Sequence, residues 1–185
     1  GCRVKSFNLN EEQLASYPDG SIIFLKEDAA GNIWIGDYAR YVVFSKEYGK
    51  FVEPEKILGP LGLEVPEKIF VSSTGDLWLA NSGRLLWYSW KTLSSRTYAL
   101  GISYNIITVQ DNGGPAMYVL TEDHTLLSLD IRSGEVENIP IPEETFSPNN
   151  IFCDQSNSIW LWSNSEDYVY HSIGRQWVEV PLVSI

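Results

Sequence analysis

The chain has 185 residues, of which 44% are hydrophobic and 20% are charged, a composition typical of one folded domain and not of a disordered segment. Thirteen Lys and Arg against 24 Asp and Glu give a net charge of -11, which argues against nucleic acid and anionic membranes as partners, because both bind largely through cationic side chains. Two cysteines, Cys2 and Cys153, offer neither a disulfide framework nor a CxxC zinc motif, and no run of about 18 apolar residues predicts a spanning helix.

The stretch CRVKSFNLN, which follows Gly1, aligns with RQWVEVPL near the other terminus. Residues 1–20 are therefore predicted to form the last strand of a preceding repeat and the connection that follows it. The fourth repeat already carries its own last strand, so this N-terminal strand completes nothing within the chain. We expect a fragment of a larger ring, whose apolar faces contact the remaining blades of a parent protein or a second copy.

The first clear hairpin lies in the stretch EDAAGNIWIGD, which covers residues 27–37. Gly31 and Asn32 tolerate the left-handed backbone that a tight turn requires. The Ile-Trp-Ile run that follows is apolar on both sides, as expected for a strand between two neighbouring sheets, so Trp34 is predicted to pack between sheets. A calcium loop built from acids of this stretch is disfavoured, because copies two and four do not keep the acids.

Three further copies of the pattern follow, with Trp78, Tyr118 and Trp160 in the place of Trp34, at intervals of 44, 40 and 42 residues. An apolar strand precedes each anchor, and two more strands follow it. Four short strands recurring at such a period are typical of a β-propeller blade. The predicted fold is all-β, a partial β-propeller of about four blades with four antiparallel strands each. Its blades cover residues 21–56, 57–100, 101–142 and 143–185, all in one domain.

The hairpin motif resembles the two-component regulator propeller repeat, D-x-x-G-N-L-W-I-G-T. KEDAAGNIWIGD matches it closely, SSTGDLWLANSGRLLWY well and DQSNSIWLWSN moderately, whereas QDNGGPAMYVLTEDHTLLSLD fits only a generic blade. The resemblance implies the periplasmic sensor region of a Bacteroidetes-type hybrid histidine kinase, whose kinase half lies outside this chain. It also implies glycan-derived signals as ligands. We expect neither a cofactor nor a metal.

In a propeller, the loops between second and third strands share a face with the connections between blades, and ligands usually meet that face. Polar side chains of mixed charge in these loops suit hydrogen bonding to sugar hydroxyls, with an aromatic ring for stacking. A solvated rim without a ligand is the alternative, since surface loops are polar in any case. The candidate ligand-binding residues are Asp37, Tyr38, Arg40, Asn81, Arg84, Asp123, His124, Asn164 and Asp167.

The remaining tryptophans are divided by their positions. Trp87 and Trp162 are predicted to lie in the core, whereas Trp90 and Trp177 lie near outer strands and are candidates for an interface.

No catalytic motif is recognisable, and His124 and His171 are the two histidines, so we do not expect an enzyme. A propeller lyase or glycosidase that uses paired carboxylates is one alternative. A protein-interaction scaffold is another, although the chain lacks the GH and WD dipeptides of WD repeats.

Overall fold

The computed structural model describes residues 24–36, 41–143, 145–154, 156–174 and 176–182. Within them the chain forms four antiparallel sheets of four strands, and in each sheet the strands follow chain order. The predicted strand at the N-terminus and three rim residues, Asp37, Tyr38 and Arg40, lie outside this part of the chain.

Sheets 1 and 2 are built from consecutive short strands joined by tight turns. The strands of sheet 1 are β1 (Phe24–Glu27), β2 (Ile33–Gly36), β3 (Tyr41–Ser45) and β4 (Lys50–Val52). The strands of sheet 2 are β5 (Lys68–Val71), β6 (Leu77–Asn81), β7 (Arg84–Ser89) and β8 (Ser94–Ala99).

Sheets 3 and 4 repeat the same plan. The strands of sheet 3 are β9 (Ile106–Asp111), β10 (Ala116–Thr121), β11 (Leu126–Asp130) and β12 (Val136–Ile139). The strands of sheet 4 are β13 (Asn150–Cys153), β14 (Ile159–Trp162), β15 (Tyr168–Ile173) and β16 (Gln176–Pro181). The predicted partial β-propeller with four four-stranded blades is confirmed.

The hydrophobic core is divided among the three junctions between successive sheets. Each junction has its own cluster, in which side chains from one sheet face pack on those of the next. The β2 side chain of Trp34 is fully buried between sheets 1 and 2, as predicted. Successive sheets therefore pack face to face. This packing buries both sides of a strand that is apolar on both sides.

The connection between sheets 1 and 2 contains helical structure, although its sequence is rich in Pro and Glu. Helix α1 (Glu55–Leu58) leads directly into a 3-10 turn over Gly59–Leu61. Ile57 and Leu58 are buried in the cluster between the two sheets, so this connection is part of the core. Among the described residues no helix has the length and apolar character needed to cross a membrane.

The turn that opens the EDAAGNIWIGD hairpin is organised by a buried carboxylate. Asp28, only 3% exposed, accepts hydrogen bonds from the backbone N–H of Ala30 at 3.0 Å and of Asn32 at 2.9 Å. It also accepts one from the indole Nε1 of Trp34 at 2.8 Å. The acid of the motif therefore ties the turn to the anchor aromatic, and hydrogen bonds to a charged acceptor are the stronger kind.

The fourth repeat reproduces this arrangement. Asp154 accepts hydrogen bonds from the N–H groups of Ser156 and Ser158 at 2.8 and 3.0 Å, and from Nε1 of Trp160 at 3.0 Å. These bonds hold the pKa of Asp154 below its ordinary value, the bond from the Trp160 indole having the largest effect. The motif acids therefore have a structural use in turn geometry.

The tryptophans near the outer strands differ from expectation. Trp90 and Trp177, proposed as interface residues, pack against the clusters of the first and third junctions. Trp162, predicted in the core, is only partly buried, because it lies on the face of sheet 4 that points away from sheet 3. Trp87 packs against the second cluster, in agreement with the prediction.

Candidate ligand-binding site

The turn between β6 and β7 fastens the start of its own sheet. The N–H of Glu67, just before β5, donates to Oδ1 of Asn81 at 2.7 Å, and the hydroxyl of Ser82 donates to a Glu67 carboxylate oxygen at 3.1 Å. The next residue, Gly83, has φ of 74°, and a Cβ there would meet the carbonyl oxygen of Ile102 at 2.4 Å. The side-chain oxygen of Asn81 is thus occupied by the backbone N–H of Glu67.

The turn between β10 and β11 is held by an internal network around Asp123. The hydroxyls of Thr121 and Thr125 both donate to its carboxylate. Burial opposes ionisation of Asp123, but these hydrogen bonds outweigh it, so its pKa lies below the ordinary value. The adjacent His124 adopts φ of 63°, and its Nδ1 lies 3.1 Å from the carbonyl oxygen of Pro148 in the connection to sheet 4.

The remaining described rim residues lie apart from one another. Asn164 accepts a hydrogen bond from the Asn150 side chain at 3.0 Å, and the carbonyl of Asp167 accepts one from the N–H of Leu182 at 2.7 Å. Arg84 is exposed at the start of β7. The predicted residues are therefore spread over three turns, and Asn81 is the member that lines a cavity.

A cavity of about 350 Å³ runs along the inner strands of the arc. Its wall is formed by β1, β5 and β9 and by the residues leading into β13, so all four sheets contribute to it. This volume lies within the range of small-molecule sites. The polar part of the wall comes from residues on inner strands or next to them, namely Lys26, Glu67, Lys68, Ser72, Ser73, Thr108, Gln110, Asp111, Asn149 and Asn150.

A second cavity of about 410 Å³ adjoins the first at the rim, and Glu67 and Lys68 line both. It lies between sheets 2 and 3, where Asn81 and Ser82 face Asn105 and Glu122. The two cavities together form a groove that leads from the rim into the channel. A ligand in the groove would contact the rim and the inner strands at once.

The charged groups of the groove differ in how they are satisfied. Asp111 accepts hydrogen bonds from both the N–H and the hydroxyl of Ser73, which joins sheets 3 and 2, and Glu67 is held by Ser82. Within the described part of the chain neither Lys26 nor Lys68 forms an ion pair. The ammonium groups are therefore available to a ligand, whereas the carboxylates serve the fold.

Aromatic side chains add an apolar component to the groove. Phe24, Phe70 and Tyr41 line the inner cavity. The Tyr41 hydroxyl donates to the carbonyl of Pro66 at 2.6 Å, and its pKa is raised chiefly by burial and further by the charge of Glu55. Tyr41 thus stays neutral, with its ring held in place. Rings beside hydrogen-bonding groups suit a ligand that has both hydroxyls and apolar ring faces.

Sequence reasoning missed these inner-strand residues. The available signal was the polar content of strands that should otherwise be apolar, as in the Thr108 and Gln110 positions of NIITVQDN. A strand with one edge towards a channel can carry such residues, whereas a strand between two sheets cannot carry them without partners.

Metal-binding clusters and the one described cysteine were natural candidates for chemistry near the groove. No set of three His, Cys, Asp or Glu side chains suited to a metal occurs in the described ranges. The buried thiol of Cys153 has its pKa raised to about 12, mainly by burial and also by the carboxylates of Asp111 and Asp154. It is therefore protonated at neutral pH and a poor nucleophile.

Comparisons with known proteins support the fold. No protein-family model matches the sequence, and no curated protein does. Virginiamycin B lyase from Staphylococcus aureus superposes with a TM-score of 0.60 and 15% identity, over 89% of this chain and 56% of the lyase.

Two further solved structures show the same likeness. The extracellular domain of the hybrid two component system BT4673 from B. thetaiotaomicron superposes with a TM-score of 0.55 and 13% identity, over 85% of this chain and 24% of that domain. YCF48 from Cyanidioschyzon merolae superposes with a TM-score of 0.51 and 13% identity, over 77% of this chain and 48% of YCF48. At such identities the likeness shows the fold alone, and the chain spans little more than half the length of the lyase.

Proposed function

We propose that the chain is a ligand-recognition module of an extracytoplasmic, periplasmic sensor, and that its groove binds a glycan-derived molecule. The observation that carries the proposal is the groove itself, which places unpaired ammonium groups, amides and hydroxyls beside aromatic rings. The fold likeness to an extracellular domain of a two-component system supports the extracytoplasmic setting. The repeat motif supports a place in a Bacteroidetes hybrid histidine kinase, whose kinase would lie outside this chain.

The hydrogen-bonding groups and aromatic rings of the groove support oligosaccharide recognition. Sugar hydroxyls need donors and acceptors in fixed positions, and the apolar faces of sugar rings need flat surfaces. Gln110 and Thr108 on β9 supply the first, and Phe70 on β5 lies within the same cavity. Recognition without turnover would suit a sensor, since the signal persists while the ligand is present.

The test is calorimetric titration of the chain with a panel of neutral and acidic oligosaccharides. For a binder, Gln110→Ala should weaken affinity several-fold, because one hydrogen bond contributes about 0.5–1.5 kcal/mol. Lys91→Ala, at an exposed position in the β7–β8 turn, is the matched control and should bind normally. An affinity unchanged by Gln110→Ala but reduced by Arg84→Ala would place the ligand on the rim. Failure of every sugar to bind would refute the glycan assignment.

A second candidate function is catalysis, which is favoured by the likeness to virginiamycin B lyase. We propose a non-enzymatic role, and the two alternatives differ in what happens to a bound compound. Incubation with quinupristin, which is present in one structure of that lyase, followed by mass spectrometry, separates them. Time-dependent product that disappears with His124→Ala would establish an enzyme.

A protein-interaction scaffold is the third possibility. Such a module would retain a protein partner and give no heat with any sugar, so the same titrations discriminate it from a sensor.

A further inference from the structure

The first strand of each sheet places one residue at the same level of the inner cavity. Each of these residues pairs directly with the residue two places after the anchor aromatic of its sheet, so the four positions are structurally equivalent. All four line the inner cavity, and they supply a phenyl ring, an ammonium group, a hydroxyl and an amide, from Phe24, Lys68, Thr108 and Asn150 respectively. One level of the channel thus offers a different chemical group from each sheet.

The next level lies two residues further along the same strands, where each residue pairs directly with the anchor itself. Three of its members line the inner cavity, namely Lys26, Phe70 and Gln110. A strand rises about 3.3 Å per residue, so the two levels are about 6.6 Å apart. In sheet 1 the order is Phe24 then Lys26, and in sheet 2 it is Lys68 then Phe70. Each level therefore has one ammonium group and one phenyl ring on neighbouring sheets.

The carboxylates of the groove already have hydrogen-bond donors. Asp111 and Glu67 are held by serines, and Glu122 accepts a hydrogen bond from the Asn105 side chain at 3.1 Å. These acids are therefore oriented by the fold. A cationic ligand would compete with these donors for the same oxygen atoms.

The two ammonium groups, by contrast, lack an acceptor. Among the described residues neither Lys26 nor Lys68 forms an ion pair or a side-chain hydrogen bond. Lys68 is also partly buried and lines both cavities. A charged group that loses hydration without gaining a partner is destabilised, and a lysine is seldom fully buried unless it is paired. The group that this part of the groove lacks is an anion.

The balance of charge favours the inner cavity over the rim for an anion. Two lysines and two carboxylates line the inner cavity, whereas Lys68 stands against two carboxylates in the second cavity. The chain as a whole has 13 Lys and Arg against 24 Asp and Glu. Exposed charges further apart than about 8–10 Å are largely screened at ordinary ionic strength, so a ligand in the inner cavity responds mainly to the charges of that cavity. An acidic ligand is therefore placed best at the level of the lysines.

We propose that the inner cavity binds an acidic oligosaccharide, whose sugar carboxylates contact Lys68 and Lys26. One sugar unit places its ring on Phe24 and its carboxylate at Lys68, and the next unit uses Phe70 and Lys26. The contact between ammonium and carboxylate groups is a charge-assisted hydrogen bond, and a flat aromatic ring accommodates the apolar face of a sugar. This inference rests on the proposed function, because it names the class of glycan that the groove takes.

The experiment is calorimetric titration of the chain with matched pairs of disaccharides, at low and at physiological ionic strength. The acidic probes are digalacturonate and diglucuronate, and each neutral probe is the galactose or glucose disaccharide of the same linkage. The acidic member should bind at least about tenfold more tightly, because it adds charge-assisted contacts. This advantage should shrink at the higher ionic strength, because salt screens the attraction between ammonium and carboxylate groups.

Removing either lysine of the groove should reduce this selectivity. Lys68→Gln and Lys26→Gln should each weaken binding of the acidic disaccharide by about tenfold and leave the neutral one unchanged, since hydrogen bonds to charged groups are the stronger kind. Lys68→Arg keeps the charge and should retain most of the affinity. Lys91→Gln removes the same charge from an exposed position in the β7–β8 turn, so it is the matched control and should bind normally. Circular dichroism verifies that each variant is folded.

The outcomes separate this inference from the proposed function. Neutral disaccharides that bind as tightly as their acidic partners would leave a sugar site but overturn the acidic assignment. Equal losses for Lys91→Gln and Lys68→Gln would show an effect of net charge alone and would also overturn it. Selectivity that survives in full in either Lys68→Gln or Lys26→Gln would show that the arrangement with two lysines is wrong. Binding of no sugar at all would refute the glycan function together with this inference.

Discussion

Replacing the buried carboxylate of the first hairpin should destabilise the fold strongly. Asp28→Ala removes the acceptor for Ala30, Asn32 and Trp34, while the side chains of Asn32 and Trp34 remain 5% and 0% exposed. Each buried donor left without a partner costs about 1–3 kcal/mol. With two such residues affected, we expect the free energy of unfolding to fall by about 3–5 kcal/mol, a large part of the roughly 5–15 kcal/mol typical of a domain.

The matched variant is Asp154→Ala, which removes the equivalent two backbone hydrogen bonds and the indole hydrogen bond in the fourth repeat. Its tryptophan, Trp160, is partly exposed, so water can replace the lost acceptor and the loss of stability should be clearly smaller. Urea unfolding followed by tryptophan fluorescence measures both variants. A loss for Asp154→Ala that equals or exceeds the loss for Asp28→Ala would refute the argument from burial.

Three further predictions concern turns, acid sensitivity and the buried thiol. Gly75→Ala should destabilise the fold more than Gly49→Ala does. Both glycines have positive φ, which costs about 1–2 kcal/mol for Ala, but a Cβ at Gly75 would also meet the N atom of Ala29 at 2.6 Å. Urea unfolding of the two variants compares their losses of stability. The folded-state pKa of Asp123 is depressed, so its contribution to stability is complete above the unfolded pKa and is lost as pH falls through the folded pKa. Asp123→Asn should therefore make the free energy of unfolding less dependent on pH in the acid range. An unchanged slope of this free energy against pH would contradict the prediction. In a Cys2→Ser background, Cys153 should react with Ellman's reagent only as fast as the protein unfolds, and rapid labelling of the native protein would show that the thiol is accessible.

Local signals account for the part of the fold that the sequence predicted. The turn at Gly31 and Asn32 and the two-sided apolar run at Trp34 depend on neighbours within a few residues. Their repetition along the chain then determined the number of sheets. The run IWLW in β14 does not, however, show from its own residues that its burial differs from that of IWIG in β2. Trp162 is partly exposed because no described sheet packs on its face. Burial of a repeat depends on its place in the arc.

The helical connection between sheets 1 and 2 shows a similar limit. Pro54 and the glutamates of this segment are typical of a surface loop. Leu58 is nevertheless fully buried, because the segment packs into the junction between the two sheets. Two apolar residues in a short polar stretch are too few to predict that contact.

The candidate site was harder to predict than the fold. Polar residues at the turns, such as Asp123 and Asn164, are the obvious candidates in a sequence, yet their side chains bond within their own sheet. The groove residues Lys26 and Lys68 lie 42 positions apart and belong to different sheets. Their meeting depends on the curvature that four packed sheets produce together, and curvature is not a property of any short segment.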